Sequence, residues 1–301
     1  MSFLWIPLVI AAAFLQNVRS ALQKHLKGRL GTTGATFVRF GYGFPFALIY
    51  LAALVFVLDL PLPSPGIDFF AIAAIGGIAQ ILATALLISL FDARNFAVGT
   101  TYSKTETVQA AIFAVIFLGE TISLAATIGI LISLAGVVAI SAARSPAGLR
   151  QLMTSWTQRS AMIGLASGAL FGVAAVSFRG ASLSLGGEGF LVQASFTLAV
   201  ALVFQTVVMA LWMIWRAPHE LRQALAAWRV AVWVGLSGAV ASMGWFTAMT
   251  IQHVALVRAL GQIELVFTIA SSVLIFRERI LKLELIGIVL VVAGIVILLL
   301  R

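Results

Sequence analysis

The sequence predicts an all-α integral membrane protein with ten transmembrane helices, arranged as two inverted five-helix repeats around a central cavity. Composition, apolar runs and an internal repeat support this prediction. Apolar residues make up 62% of the 301 residues and charged residues only 10%, whereas a soluble domain carries about 25% charged residues. Apolar runs long enough to cross a ~30 Å hydrocarbon core recur along the chain. The short alternating segments typical of a membrane β-barrel do not occur in the sequence.

Polar residues, Pro and Gly divide the chain into ten candidate spans. They cover approximately residues 3–23, 33–58, 68–91, 96–118, 122–142, 160–179, 189–215, 230–250, 254–276 and 280–300. The first span has no charged segment before it, so we expect a retained helix rather than a cleaved signal peptide. The longest polar linker, residues 143–159, separates the first repeat, residues 1–147, from the second, residues 148–301.

The two halves share a common register that indicates duplication. A shift of 158 positions places Glu106 on Glu264, Glu120 on Glu278, Gly129 on Gly287 and Gly136 on Gly294. The general similarity of apolar helices explains matching Val and Ala residues, but it does not explain the paired acids. Because each half has an odd number of spans, the second half must enter the membrane upside down relative to the first.

The distribution of basic residues predicts the orientation in the membrane. Loops after odd-numbered spans hold thirteen Lys and Arg residues, and loops after even-numbered spans hold one, Arg179. Positive loops remain in the cytoplasm, so we expect both termini outside it. The net charge of +9 then belongs to cytoplasmic loops. With no basic domain outside the spans, we expect no nucleic-acid partner.

Several polar residues fall inside the predicted spans. Glu106 lies about ten residues into span four, roughly 15 Å deep at 1.5 Å per residue, and Glu264 is equally deep in span nine. Lys104 aligns with Gln262 in the repeat register. Ionisable groups at this depth require a wet cavity or a charged partner. Two interpretations stay open, namely a substrate cavity lined by spans four and nine, or a purely structural network of ion pairs.

Helix geometry limits which of these charges can pair. Lys104 and Glu106 point about 200° apart on one helix, so each needs a partner on another helix. Arg39 and Arg258 are candidate partners, and Tyr102 could stack on a flat substrate. The candidate substrate-binding residues are therefore Arg39, Tyr102, Lys104, Glu106, Arg258, Gln262 and Glu264. Gln16, Asn17 and Arg19 lie near the cytoplasmic end of span one, where arginine can snorkel to the membrane surface. Snorkelling and cavity lining both remain open there.

Other repeated features indicate structural roles. Glu120 and Glu278 end their spans, where we expect them to receive backbone or arginine contacts at tight turns. Small-residue stripes allow helices to approach closely, and we expect this of seven glycines: Gly129, Gly136, Gly164, Gly168, Gly172, Gly287 and Gly294.

Several kinds of chemistry are excluded or disfavoured. The chain has no cysteine and only three scattered histidines, so we expect no metal site, no other cofactor and no enzymatic activity. Inverted five-helix repeats around a shared centre are typical of transporters. Because the chain lacks the GxxxxGK[ST] phosphate loop, an ion or solute gradient must supply the energy for transport. Buried carboxylates with raised pKa values suit proton coupling, which is a further hypothesis.

Two segments resemble the EamA-type branch of the drug/metabolite transporter superfamily. They are "KTETVQAAIFAVIFLGETISLAATIGILISLAG" (Lys104–Gly136) and "GQIELVFTIASSVLIFRERILKLELIGIVLVVAG" (Gly261–Gly294). The resemblance covers essentially the whole chain. It implies ten helices around a central cavity, alternating access, and movement of small metabolites across a bacterial inner membrane. Arg277 replaces the glycine of "LGE" in the second repeat, which departs from strict symmetry.

From these observations we expect a secondary active transporter, an exporter of small polar or zwitterionic metabolites such as amino acids. Basic groups outnumber acids within the spans, which favours a substrate bearing a carboxylate or phosphate. The alternative is a flippase or transporter of phosphate-bearing lipid headgroups or nucleotide-like anions. The expected partners are a small-molecule substrate, the lipid bilayer and coupling protons, and we expect a monomer or weak homodimer.

Overall fold

The computed structural model describes residues 3–92, 96–143, 154, 156–187, 189–276 and 280–299. Regular structure in these ranges is helical. The α-helices are α1 (Trp5–Gly41), α2 (Phe44–Phe56), α3 (Ile67–Ser89), α4 (Phe96–Ser103), α5 (Glu106–Leu118), α6 (Leu124–Ala143), α7 (Arg159–Ser184), α8 (Phe190–Arg216), α9 (Pro218–Ala226), α10 (Trp228–Ile251), α11 (Val254–Leu260), α12 (Glu264–Phe276) and α13 (Lys282–Leu299). The predicted all-α class is confirmed. The proposed boundary between residues 147 and 148 lies outside the described residues.

Seven helical segments of the described chain are long and apolar enough to cross a membrane. They are Trp5–Phe56, Ile67–Ser89, Leu124–Ala143, Arg159–Ser184, Phe190–Arg216, Trp228–Ile251 and Lys282–Leu299. The first has 52 residues, far more than the ~20 that one crossing needs. It turns at Gly31, whose φ of 67° suits a residue without a Cβ. The connection between predicted spans one and two is helical as far as this glycine.

The predicted spans four and nine are each broken near the middle. Helix α4 ends at Ser103 and α5 begins at Glu106. Helix α11 ends at Leu260, a 3₁₀ turn follows, and α12 begins at Glu264. Both α5 and α12 contain 13 residues, and the two breaks occupy equivalent positions in the repeat. The continuous helices predicted over 96–118 and 254–276 are therefore wrong, since each region contains two half-helices.

The glycine run of α7 packs directly against the first break. A Cβ placed on Gly164 would lie 2.1 Å from the carbonyl oxygen of Gly99. A Cβ on Gly168 would lie 2.8 Å from the Ser103 carbonyl oxygen and 3.2 Å from the Glu106 nitrogen. The backbone of α7 thus touches the backbone of α4 and α5 where they separate, and the predicted packing role of these glycines is confirmed.

The other glycine stripes join α6 to α13. A Cβ on Gly129 would lie 2.7 Å from the Gly294 carbonyl oxygen, and one on Gly136 would lie 2.6 Å from that of Gly287. Between these contacts, the Ser133 hydroxyl donates to the Val291 carbonyl oxygen at 3.3 Å. Their predicted role in close packing is also confirmed.

Arg179 lies inside α7 with a buried side chain, so its assignment to a loop is wrong. Its Nε is 2.5 Å from Glu120 Oε1, and its Nη1 donates to the carbonyl oxygens of Met249 and Gln252 at the end of α10. Glu120 Oε2 accepts a hydrogen bond from the Val254 nitrogen at 3.1 Å. The structural role predicted for Glu120 is confirmed, and Glu278 lies outside the described residues.

Candidate functional site

A cavity of about 190 Å³ lies beside both helix breaks. Its walls come from α1, α3, α4, α5, α7, α10, α11 and α12. The polar residues that line it are Gln16, Arg19, Ser20, Arg39, Gln80, Thr100, Ser103, Lys104, Glu106, Ser242, Arg258 and Glu264. Their concentration at one place provides the polar surroundings that charges within an apolar chain require.

Glu106 occupies the first position of α5 and pairs with Arg258 of α11. The distance from Arg258 Nη1 to Glu106 Oε1 is 2.9 Å. The Lys104 and Thr105 nitrogens donate to the carbonyl oxygens of Thr101 and Tyr102, so a tight turn leads from α4 into α5 just before this carboxylate. The sequence prediction that Arg258 is a partner for these charges is confirmed for Glu106.

Glu264 occupies the corresponding first position of α12. Its Oε1 pairs with Lys104 Nζ, and its Oε2 accepts a hydrogen bond from Gln16 Nε2 at 2.6 Å. The side chain of Asn17 donates to the backbone oxygen of Glu264 at 3.3 Å. Residues of α1 and of the first break therefore hold this carboxylate from two sides.

Arg39 points into the cavity from α1 and contacts α3. Its Nη1 donates to Thr84 Oγ1 at 2.9 Å, and the Thr84 hydroxyl donates to the Gln80 backbone oxygen at 2.7 Å. Gln205 Nε2 donates to Gln80 Oε1 at 2.9 Å. This chain of hydrogen bonds orients Arg39 without giving it a carboxylate partner among the described residues.

Arg19 is a second arginine in the same wall. Its side chain is 6% exposed, and within the described parts of the chain it makes neither a hydrogen bond nor an ion pair. A Cβ placed on Gly238 would lie 3.2 Å from Arg19 Cδ and 3.8 Å from Arg39 Cγ. The aliphatic parts of both arginine side chains therefore pack against this glycine of α10. Of the two interpretations left open for Arg19, the structure supports cavity lining.

Aromatic rings form the remaining wall. The Arg258 guanidinium lies 5.2 Å from the centre of the Trp245 ring, within the range of a cation–π contact. The rings of Phe178 and Phe246 lie 4.6 Å apart, and both side chains line the cavity. The cavity therefore combines a cationic side with an apolar aromatic side.

The structure brings together five of the seven predicted site residues: Arg39, Lys104, Glu106, Arg258 and Glu264. Gln262 lies in an adjoining recess, where its Nε2 donates to Thr107 Oγ1 at 2.6 Å. Tyr102 is not placed in the cavity. It packs beside Val98, Ala142 and Ala161, because it occupies a different face of α4 from the cavity-lining Thr100 and Ser103.

Sequence reasoning missed Ser20, Gln80, Thr84 and Ser242, and it left the role of Gln16 open. For two groups of cavity residues, the sequence spacing could have indicated a shared helix face. Gln16, Arg19 and Ser20 follow the i, i+3, i+4 spacing of one helix face, and Gln80 and Thr84 are four residues apart in an apolar span. Within the described residues, no group of three or more His, Asp or Glu side chains could hold a metal ion.

Comparisons with known proteins agree with this architecture. The sequence model of the EamA-like transporter family matches residues 3–142 and again residues 161–300. A solved crystal structure, whose description names no particular protein, has 20% sequence identity to this chain and a TM-score of 0.70. The match covers 97% of this chain and 95% of the chain in that structure. At that identity the similarity concerns the fold alone. No curated protein sequence gives a significant match.

Proposed function

The chain belongs to the EamA-like transporter family, and from this premise we propose that it is a secondary active transporter. It moves a small polar metabolite across a membrane by alternating access. The main support is the charged cavity at the point where two broken helices meet. Transporters commonly place substrate and ion sites near the membrane midplane, where discontinuous helices expose their ends.

The proposed architecture has ten spans. The 52-residue segment Trp5–Phe56 supplies two crossings, one on each side of Gly31. The half-helix pairs α4–α5 and α11–α12 supply one crossing each. Together with the six other long helices, these elements account for two repeats of five spans.

An inverted arrangement of the repeats is supported by the contact between α6 and α13. Ser133 contacts Val291, which occupies the same position in the other repeat. On either side, Gly129 meets Gly294 and Gly136 meets Gly287, so each glycine contacts the counterpart of the other. A two-fold axis in the membrane plane, passing between Ser133 and Val291, generates this reciprocal pattern.

Both ion pairs of the cavity cross between the repeats. Lys104 of the first repeat pairs with Glu264 of the second, and Glu106 of the first pairs with Arg258 of the second. Any movement of one repeat against the other must rearrange these contacts. A polar substrate that replaces one partner in each pair would therefore couple its own binding to the movement.

The remaining parts of the proposal concern direction, place and energy. We place the protein in a bacterial inner membrane with both termini outside the cytoplasm, acting as an exporter of polar or zwitterionic metabolites such as amino acids. Residues 1–147 and 148–301 form the two moving units. Protonation of Glu106 or Glu264 would break an ion pair, which offers a route for proton coupling.

Transport in reconstituted proteoliposomes tests the proposal. A screen over amino acids and nucleotides under an imposed pH gradient identifies a substrate, and Glu106→Gln is then compared with the wild type. We expect Glu106→Gln to impair transport while the protein remains folded. The matched control is Asp68→Asn, an acid-to-amide change at an exposed position at the start of α3. Wild-type transport by Glu106→Gln would contradict the role of the cavity.

A further inference from the structure

We propose that Arg19 and Arg39, called here the arginine pair, form an oxyanion subsite that holds a carboxylate or phosphate group of the transported metabolite. This inference rests on the proposed transport function and narrows the substrate to a small acid. It depends on the charge balance of the cavity, on the missing partner of Arg19, and on the cavity size.

The charges that line the cavity do not balance. Four cations face two carboxylates there among the described residues. Lys104 and Arg258 each form an ion pair with one glutamate. Neither arginine of the pair forms an ion pair with a carboxylate of the described residues, and Glu106 attracts Arg39 only from beyond ion-pair distance. Arginine remains charged at any physiological pH, and a buried charge without a partner is strongly unfavourable. An anionic ligand would supply the missing partner.

The surroundings of the pair are built to hold these side chains in place. Arg39 is fixed by Thr84, which is itself bonded to the α3 backbone. Arg19 is only 6% exposed, its side chain lines the cavity, and its Nε has no hydrogen-bond acceptor in the described structure. Guanidinium groups bind carboxylate and phosphate oxygens through paired hydrogen bonds, so the free donors of Arg19 define the chemistry of the missing group.

Only the first repeat contributes residues to the subsite. In the repeat register, Arg19 and Arg39 correspond to Ser177 and Thr197, which are neutral. Glu106 and Glu264, by contrast, occupy equivalent positions, so each repeat contributes one glutamate. The acidic group of the ligand therefore has one place to bind, which gives the ligand a single orientation in an otherwise repeated framework.

Cavity size restricts the rest of the ligand. A volume of about 190 Å³ lies below the ~300–1,000 Å³ that is typical of ligand pockets. This volume suits a small organic acid better than an intact nucleotide. The rings of Trp245, Phe178 and Phe246 provide an apolar wall for the carbon skeleton. The ligand class is thus a small metabolite with one oxyanion group and a compact body.

Thermal unfolding of the purified protein with matched ligand pairs tests the subsite, because a ligand that binds the folded state raises the unfolding temperature. The probes are propionate against propionamide, succinate against succinamide, and methyl phosphate against methanol, because the second compound of each pair carries no oxyanion group. We expect an acid to raise the midpoint of the wild type more than its neutral partner does. Whether the carboxylates or methyl phosphate give the larger shift shows which oxyanion binds.

The variants make the test specific. We expect Arg19→Gln and Arg39→Gln to lose the acid-dependent shift and Arg19→Lys to keep part of it. Arg222→Gln, which removes an exposed charge on α9, serves as the control and should keep the full shift. Equal shifts with acids and neutral partners, no shift with any acid, or a full shift in Arg19→Gln would each overturn the subsite.

Two further measurements separate the remaining possibilities. Without ligand, Arg19→Gln should unfold at a higher temperature than the wild type, because it removes an unpaired buried charge. A lower midpoint would show a structural role and contradict the proposal. Nanodiscs with and without phosphatidylglycerol distinguish a free acid from a lipid headgroup, since only a headgroup site would depend on that lipid.

The subsite and the transport function fail in different ways. Acid binding that depends on Arg19, without transport in proteoliposomes, would support the subsite and contradict the transport proposal. If the protein transports a neutral solute and Arg19→Gln transports it equally well, this result would support the transport proposal and contradict the subsite.

Discussion

Lys104 and Glu264, 160 positions apart in the sequence, form an ion pair beside the two helix breaks. Lys104 lies directly after α4, and Glu264 is the first residue of α12. Gln16 of α1 donates to the second carboxylate oxygen of Glu264 at 2.6 Å. This contact ties the two repeats together where neither broken helix is continuous, so its loss should affect both stability and transport.

Glu264→Gln should lower stability and transport together. Removal of one partner from a buried ion pair costs roughly 3–5 kcal/mol, and we expect the lower end because the Lys104 side chain is 25% exposed. Thermal or denaturant unfolding measures the loss. The double variant Lys104→Met/Glu264→Gln should recover much of the stability and still fail to transport. Strict additivity of the two changes would contradict a direct pair.

Glu120 and Arg179 should matter for stability and much less for substrate choice. Arg179 joins the end of α10 to Glu120, and Glu120 caps the start of α11. Arg179→Gln leaves Glu120 buried without its cation, so we expect a loss of roughly 3–5 kcal/mol in unfolding free energy. The remaining folded protein should keep the wild-type ligand preference. A changed preference at unchanged stability would count against this structural role.

Gly136→Ala should destabilise the contact between α6 and α13. The added Cβ would lie 2.6 Å from the Gly287 carbonyl oxygen, so the two backbones must separate, at a cost of about 1–3 kcal/mol. Gly28→Ala is a matched control in α1, where a Cβ meets no atom within 4 Å. That control should be neutral or more stable by up to about 1 kcal/mol, because alanine favours helix. Equal unfolding midpoints for the two variants would refute the close contact.

The turn at Gly31 should depend on Glu220 of α9. Glu220 Oε2 accepts a hydrogen bond from the Gly34 nitrogen at 2.8 Å, as a side chain does when it caps a helix start. Glu220→Ala should therefore cost about 1 kcal/mol. Gly31→Ala should cost more, because φ is 67° there and the new Cβ would lie 2.9 Å from Glu220 Oε2.

A double variant checks the contact between these two positions. Gly31→Ala should cost less in the Glu220→Ala background, because the steric contact is gone while the backbone strain remains. The same penalty in both backgrounds would show that Glu220 does not limit the space at residue 31.

The proposed orientation can be measured with single cysteines, because the natural sequence has none. Ser64 and Arg222 are exposed residues outside the long helices, after predicted spans two and seven. In intact cells, a membrane-impermeant maleimide should label Ser64→Cys. It should label Arg222→Cys only after the cells are permeabilised. Labelling of both positions from the same side would contradict the proposed topology.

The sequence predicted much of the fold and most of the cavity charges. Glu106 and Glu264 stand out in an apolar chain, and a shared register links them, so the repetition of these acids could be predicted directly from the sequence. The ion pairs of the cavity could be predicted only in part from the sequence. Arg258 was a candidate partner, whereas the contact between Lys104 and Glu264 depends on how α4 and α12 approach each other, which no local pattern records.

Tyr102 and Arg19 show the limits of reading one helix at a time. An aromatic ring within a span suggests either stacking or packing, and the rotation of α4 decides between them by turning Tyr102 toward Val98 and Ala161. Arg19 could reach the membrane surface or the cavity, and the approach of Gly238 in α10 places it beside the cavity.

The amino-acid order by itself determined the membrane-spanning character of the helices and the duplication, because hydropathy and residue spacing are local properties of the chain. Tertiary structure decided where the spans break, which charges pair and which arginine stays unpaired. These outcomes arise from contacts between distant segments, such as Gly168 against the break at Ser103 and Glu106. Such contacts exist only once the helices have packed together.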